Sequence, residues 1–271
     1  MWRSFLRSRF APLLTHASLL LFTASLFAML LRLPFWIAFV PCAIVQHRIG
    51  VLLHEYIHGI PCRSYRANLA VISVWDGMFL MFGLMDLFRG THLAHHRWLN
   101  TPREPAYTPA GERPKSLWSR TAQLEGIQHL IYLVQALRGQ HPYVIPSRIV
   151  LGAVESSLWI LFWMWVGLPG VVLKLLALTM YNTTVPISLR GAIEHHSVPG
   201  ETGFANEYRV LIPLFNLNKH IHHHESPRCP WYLLEYRTGR PLSTLHYFTH
   251  WFRVYVTREY VMMQPDRVRH P

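Results

Sequence analysis

Apolar positions along this chain run in long uninterrupted blocks, and the polar positions gather between them. The first block extends from about residue 11 to 31 and follows a basic stretch with Arg3, Arg7 and Arg9. It is long enough to cross a bilayer, for which about 20 apolar residues suffice. No small-residue cleavage site follows it and a second block begins almost at once, so it reads as a retained span, not a signal peptide. Arg32-Leu33-Pro34 turns the chain into the second block, about 35–53. Two more blocks, about 149–166 and 170–187, flank a hairpin turn at Gly167-Leu168-Pro169-Gly170. These four blocks predict four transmembrane helices. A further apolar stretch, 67–87, is interrupted by Asp76, Gly77, Gly83 and Asp86. Charges and glycines at that density argue against a plain crossing, and the stretch is expected to be re-entrant or interfacial.

Between the blocks, residues 100–116 are polar and proline-rich, a loop by composition. Residues 124–137 have the pattern of an amphipathic helix lying on a membrane surface. The tail from Pro230 to Pro271 is rich in aromatics and arginine and is expected to pack on the cytoplasmic face. Glu155 and Lys174, inside apolar blocks, are expected to face protein or to snorkel. His16, in the first block, is expected to be a hydrogen-bonded interior histidine.

Composition sharpens the membrane reading. Of 271 residues, 51% are apolar and only 15% charged, where soluble domains carry roughly 25% charged residues. The net charge of +12 suits an anionic membrane surface, and no RNA- or DNA-binding pattern accompanies it. Cys42, Cys62 and Cys229 are odd in number and lack metal-ligand spacing, so they read as reduced thiols. The anomaly is eighteen histidines, nine of them in three short boxes and two more in the pair His195-His196.

The second block ends in His54-Glu55-Tyr56-Ile57-His58. Its two histidines are four apart and share one helical face. His92, His95 and His96 follow at i, i+3 and i+4, and His220, His223 and His224 repeat that spacing. His222 falls about 200° from His220 around a helix and should point away. The pair His195-His196 is preceded by Glu194. Adjacent residues point about 100° apart, so one of the pair is chosen as a ligand, His195, with His196 beside it. Imidazole is the commonest nitrogen ligand for metals.

Topology tests the idea. Ligands of one centre must lie on one side of the membrane, so crossings between boxes must be even. Two spans before His54 and two before His195 return the chain each time to the side of the basic N-terminus. By the positive-inside tendency that side is the cytoplasm. The boxes, the N-terminus and the C-terminus are therefore expected to be cytoplasmic.

The ligand candidates are His54, His58, His92, His95, His96, His195, His220, His223 and His224. A zinc protease would explain His54, Glu55 and His58 but would leave the other boxes without a role. One zinc takes four ligands; nine imidazoles suit two metals with room left for oxygen, and imidazole serves iron, copper and zinc alike. His47, two turns before His54, is a further candidate, though better read as a buried, paired histidine. Glu55 and Glu194 are expected to orient ligand imidazoles through their other ring nitrogen, the alternative being simple pairing with Arg190 or Arg97. Asn216 or Asn218 could hold a metal-bound water or cap a helix.

These residues together resemble the membrane fatty acid desaturase and hydroxylase superfamily. The boxes HEYIHG, HLAHH and HIHHH occur in the order of that superfamily, with RGAIEH before the third and the flanking runs HHRWLNTPREP and NLNKHIHHHESPRCP. Glu104-Pro105 departs from the Asp-Pro of many relatives, which bears on subfamily only. The resemblance implies an all-α integral membrane protein, a single domain over 1–271, with four transmembrane helices and a cytosolic cap carrying the boxes. It also implies two iron ions held by the nine histidines, and O₂ and two electrons spent on an unactivated C–H bond of an acyl chain.

Within that chemistry, desaturation of a fatty acyl chain leads, and hydroxylation or ketolation of a lipid or carotenoid is the alternative. Metal binding or transport without catalysis is a remote reading, because transport needs polar residues along a path through the spans. No fused electron carrier is visible: His141-Pro142 lacks the glycines of a haem motif, and the cysteines are too few for a ferredoxin domain. A separate ferredoxin or cytochrome with its reductase is expected, and the basic charge is compatible with an acidic acyl carrier.

Overall fold

The computed structural model describes residues 11–99, 101–103, 131, 133–186, 194, 205–209, 215–238, 241–243, 245–246, 249 and 252. The described chain is helical, with isolated β-bridges at Glu207–Lys219 and Tyr208–Leu242 and no strand among the described residues. It forms two compact units, residues 1–90 with 129–183, and residues 91–128 with 184–271. His195, His196, most of the 100–116 loop, most of the 124–137 helix and the end of the tail lie outside the described residues.

The first unit contains α1 (Pro12–Arg32), α2 (Phe35–Ile57), α3 (Tyr65–Met78), the first half of α4 (Leu84–Trp98), α5 (Pro146–Trp165) and α6 (Pro169–Thr184). α1, α2 and α5 are long and apolar enough to cross a membrane. α1 ends where Leu33 leaves helical geometry before Pro34, as the residue before a proline must. α2 runs on past residue 53, so it carries His54 in its last turn and His58 at its C-cap, consistent with the shared helical face read from the spacing. Gly59, at φ +71°, stops it. The Gly59 N–H donates to the Tyr56 carbonyl and the Ile60 N–H to the Glu55 carbonyl, the paired bonds of a glycine-terminated helix end.

The 67–87 stretch is two helices, not one. α3 and α4 are separated by a turn in which Leu80, Phe82 and Gly83 all have positive φ. Such geometry costs roughly 1–2 kcal/mol at a non-glycine residue, so something must hold it. The Asp76 carboxylate does, accepting from the Gly83 N–H at 2.7 Å and the Met85 N–H at 2.8 Å. Ser156 on α5 accepts from the Phe82 N–H at 3.1 Å. Gly152 lets α5 come close: a Cβ there would stand 2.6 Å from the Gly83 backbone. Asp76 thus caps the start of α4 from a neighbouring helix, and Asp86 ties that start to Arg89 and to Arg148 of α5 at 3.0 and 3.2 Å.

Polar groups inside the first unit are paired across helices. Glu155 accepts from the Ser73 hydroxyl at 2.6 Å, and the Lys174 ammonium donates to the Leu30 carbonyl at 2.7 Å, so both face protein. His16 and Tyr56 share a 2.6 Å hydrogen bond that joins α1 to the first histidine box. Gln46 donates to Thr179 and accepts from Asn182, which links α2 to α6. His47 accepts from Arg48 at 2.9 Å, a paired histidine.

Candidate metal centre

The first unit contributes His54 from the last turn of α2 and His58 from its C-cap. Both are buried, and their Nε2 atoms stand 3.2 Å apart. The four-residue spacing stacks the rings along one face of the helix, and Gly59 ends the helix before that face can turn away. Glu55, between them in sequence, is buried.

The second unit contributes the other described ligand candidates. His92, His95 and His96 lie on the C-terminal half of α4. His220, His223 and His224 lie on the short helix α7 (His220–Glu225). The two sets interleave. His96 Nε2 stands 3.0 Å from His92 Nε2 and 3.0 Å from His223 Nε2. The ligand atoms of these three histidines lie within 4.8 Å of one another. His224 Nε2 stands 3.1 Å from His220 Nε2, and the His95 ring is 5.1 Å from the His224 ring.

Hydrogen bonding accounts poorly for this. A ring nitrogen carries one proton or one lone pair, so His96 Nε2 makes one good bond and not two. A metal accounts for it well. Nitrogen ligands sit about 2.1 Å from a bound divalent ion, so two of them at right angles are about 3 Å apart. The repeated separations of 3.0–3.2 Å between Nε2 atoms are those of neighbouring ligands on one ion. Imidazole nitrogen donors fit a borderline transition metal such as iron.

The sequence matches the fatty acid desaturase family over residues 30–254. The chain belongs to the fatty acid desaturase family. No curated protein and no solved structure matches it. The family is one of lipid oxidoreductases dependent on iron, and the histidine cluster of this desaturase-family chain is suited to hold metal.

The flanking residues of the family boxes serve as struts. Asn218 donates to the Tyr208 carbonyl at 2.7 Å and to the Tyr236 hydroxyl at 2.9 Å. Asn216, itself at φ +57°, donates to the Trp231 carbonyl at 3.0 Å. Lys219 reaches the Leu234 carbonyl at 2.7 Å. Its ammonium pKa is lowered, chiefly by burial, with Glu235 and Glu207 opposing. His222 points away from the His220 face, as its angle on the helix requires, but into protein and not solvent. Its Nδ1 accepts from the Glu235 N–H at 2.9 Å. Glu207, absent from the sequence candidates, accepts from the backbone N–H groups of Arg237 and Thr238 and from the Thr238 hydroxyl. Tyr208 was also invisible in the sequence; its hydroxyl donates to Glu194 at 2.7 Å. Neither residue carries a periodic or spacing signal.

Proposed function

We propose that this chain is a membrane di-iron oxidoreductase that uses O₂ and two electrons to desaturate a fatty acyl chain. The observation that supports it most is the meeting of His92, His96 and His223 through their Nε2 atoms inside a chain of the fatty acid desaturase family. The two irons are assigned to His54, His58, His92, His95, His96, His195, His220, His223 and His224. Bound there, iron supplies the oxidation of an unactivated C–H bond. The balance is R–CH₂–CH₂–R′ + O₂ + 2e⁻ + 2H⁺ → R–CH=CH–R′ + 2H₂O.

The protein's own part is positioning. The imidazoles are aimed by the helices that carry them, and the apolar helices receive the acyl chain so that one carbon meets the metals. The proposed topology has four spans, α6 being the fourth, with both termini and the metal centre on the cytoplasmic side. α6 has 16 residues, about 24 Å of helix at 1.5 Å per residue, and its fit to a bilayer core of about 30 Å needs the residues that follow it. Electrons come from a separate ferredoxin or cytochrome with its reductase.

Expression with iron and a reductase, followed by mass spectrometry of the lipids, tests the reading. A loss of two hydrogens from an acyl chain is the expected result. A gain of oxygen would reassign the chain to hydroxylation or ketolation by the same centre. Unchanged lipids and carotenoids with iron bound would defeat the assignment.

A further inference from the structure

We propose that Glu194 is a carboxylate ligand of the metal centre, on the half built from His220 and His224. The proposal rests on the metal-centre reading and deepens it. A carboxylate that merely orients a ligand imidazole takes the proton of the nitrogen remote from the metal. Glu194 does not sit there. Its Oε2 lies 3.5 Å from Nε2 of His220, and that same Nε2 faces His224 Nε2 at 3.1 Å. The oxygen is therefore on the ligating side of the ring.

The distances suit a shared ion. Metal–nitrogen and metal–carboxylate bonds are about 2.0–2.2 Å. Ligand atoms on one ion then stand about 3.0 Å apart at right angles and about 3.5 Å apart at tetrahedral angles. The observed pair of separations falls in that range.

Glu194 is also aimed. Its backbone carbonyl accepts from the Asn206 N–H at 2.8 Å, and its Oε1 accepts from the Tyr208 hydroxyl at 2.7 Å. Tyr208 is fixed in turn, because Asn218 brackets its backbone: the Tyr208 N–H donates to the Asn218 carbonyl and the Asn218 amide donates to the Tyr208 carbonyl. Oε1 faces the Tyr208 hydroxyl, and Oε2 is the oxygen that approaches His220 Nε2. Glu194 is 4% exposed, so an ion held beside it would be shielded from solvent. The competing arrangement is an ion pair in which His220 carries the extra proton on Nε2. That proton would take His220 out of the ligand set.

Iron per chain in the purified full-length protein, and the visible spectrum of the cobalt(II)-loaded form, separate the two. The expected wild-type result is two irons per chain. Glu194→Gln is isosteric and keeps an acceptor for Tyr208; it is expected to fall to about one iron and to shift the cobalt bands. Glu194→Asp is expected to restore part of the loss. Tyr208→Phe, which removes only the bond to Oε1, is expected to keep two irons at reduced affinity. Infrared difference spectra of the wild-type protein, loaded minus metal-free, are expected to show a carboxylate stretch that moves on loading and no such movement in Glu194→Gln. Two irons with an unchanged cobalt spectrum in Glu194→Gln, or a wild-type carboxylate stretch that does not move, overturns the ligand role of Glu194 while leaving the centre intact. A wild-type chain that binds no metal defeats the centre itself and this proposal with it.

Discussion

His96 and His223 are 127 residues apart in sequence, yet their Nε2 atoms stand 3.0 Å apart. A common partner suits both, since His96 Nε2 also faces His92. Removing one ring should therefore unload the site without unfolding the helices around it. His223→Ala is expected to lose bound iron and at least about 100-fold in activity, more than the 10–100-fold typical of residues that only support a ligand. Circular dichroism should be unchanged. Full activity in this variant would remove His223 from the ligand set.

Asp76 should control the second box from a distance. Its two oxygens hold the Gly83 and Met85 N–H groups that begin α4, and α4 carries His92, His95 and His96. Asp76→Ala leaves buried donors without an acceptor, at roughly 1–3 kcal/mol each. The expected outcome is a fall of several degrees in the thermal midpoint together with reduced iron content. Asp76→Asn keeps one carbonyl acceptor and should lie between. A thermal shift and metal assay in detergent decides it; an Ala variant with wild-type stability would show that the strained turn holds itself.

How far the sequence foretold this can be seen residue by residue. The boxes were legible because a helix repeats every 3.6 residues, so His92, His95, His96 and His220, His223, His224 had to share faces. The apolar blocks gave α1, α2, α5 and α6 to within a few residues, because a long helix with few polar positions writes itself as unbroken apolar sequence. The apolar part of the second block stops at residue 53, and its helix continues through the box to Ile57, as the four-residue spacing of His54 and His58 requires. The break in 67–87 was signalled by Asp76 and Gly83, but not its cause, because the cap comes from a carboxylate seven residues before the N–H it serves. Glu194 was found, but the nitrogen it approaches was not: spacing carries no information about which side of an imidazole a carboxylate will meet.

Stability should fall in acid for a reason outside the metal centre. Burial pushes the His141 pKa below the usual histidine value, so the folded state favours the neutral ring. Above the unfolded value of about 6.5 the ring is neutral in both states and its contribution is complete. As pH drops below that, the unfolded chain takes up a proton first, and the contribution is lost as pH falls through the lower folded pKa. Metal release from protonated imidazoles has the same sign, so the measurement belongs on the metal-free protein. Thermal midpoints between about pH 7 and 5 are expected to fall less steeply in His141→Gln than in the wild type. Parallel slopes would assign the acid sensitivity elsewhere.

His222 offers the sharpest test of the struts behind the third box. Its Nδ1 accepts from the Glu235 N–H, while Lys219 holds Leu234 and Glu225 pairs with Arg237 at 3.1 Å. The segment 231–237 is thereby strapped to α7, the helix that presents His220, His223 and His224. Only the position of the acceptor atom matters to the strap. The Asn side chain places an oxygen close to where Nδ1 stands; Gln places it further out. His222→Asn is therefore expected to keep iron content and activity near wild type, whereas His222→Ala leaves a partly buried N–H unsatisfied at about 1–3 kcal/mol. His222→Gln should resemble Ala. If His222 were instead a metal ligand, Asn would fail along with Ala and Gln, and the cobalt spectrum would change in all three. If it were an ordinary surface residue, all three would behave as wild type.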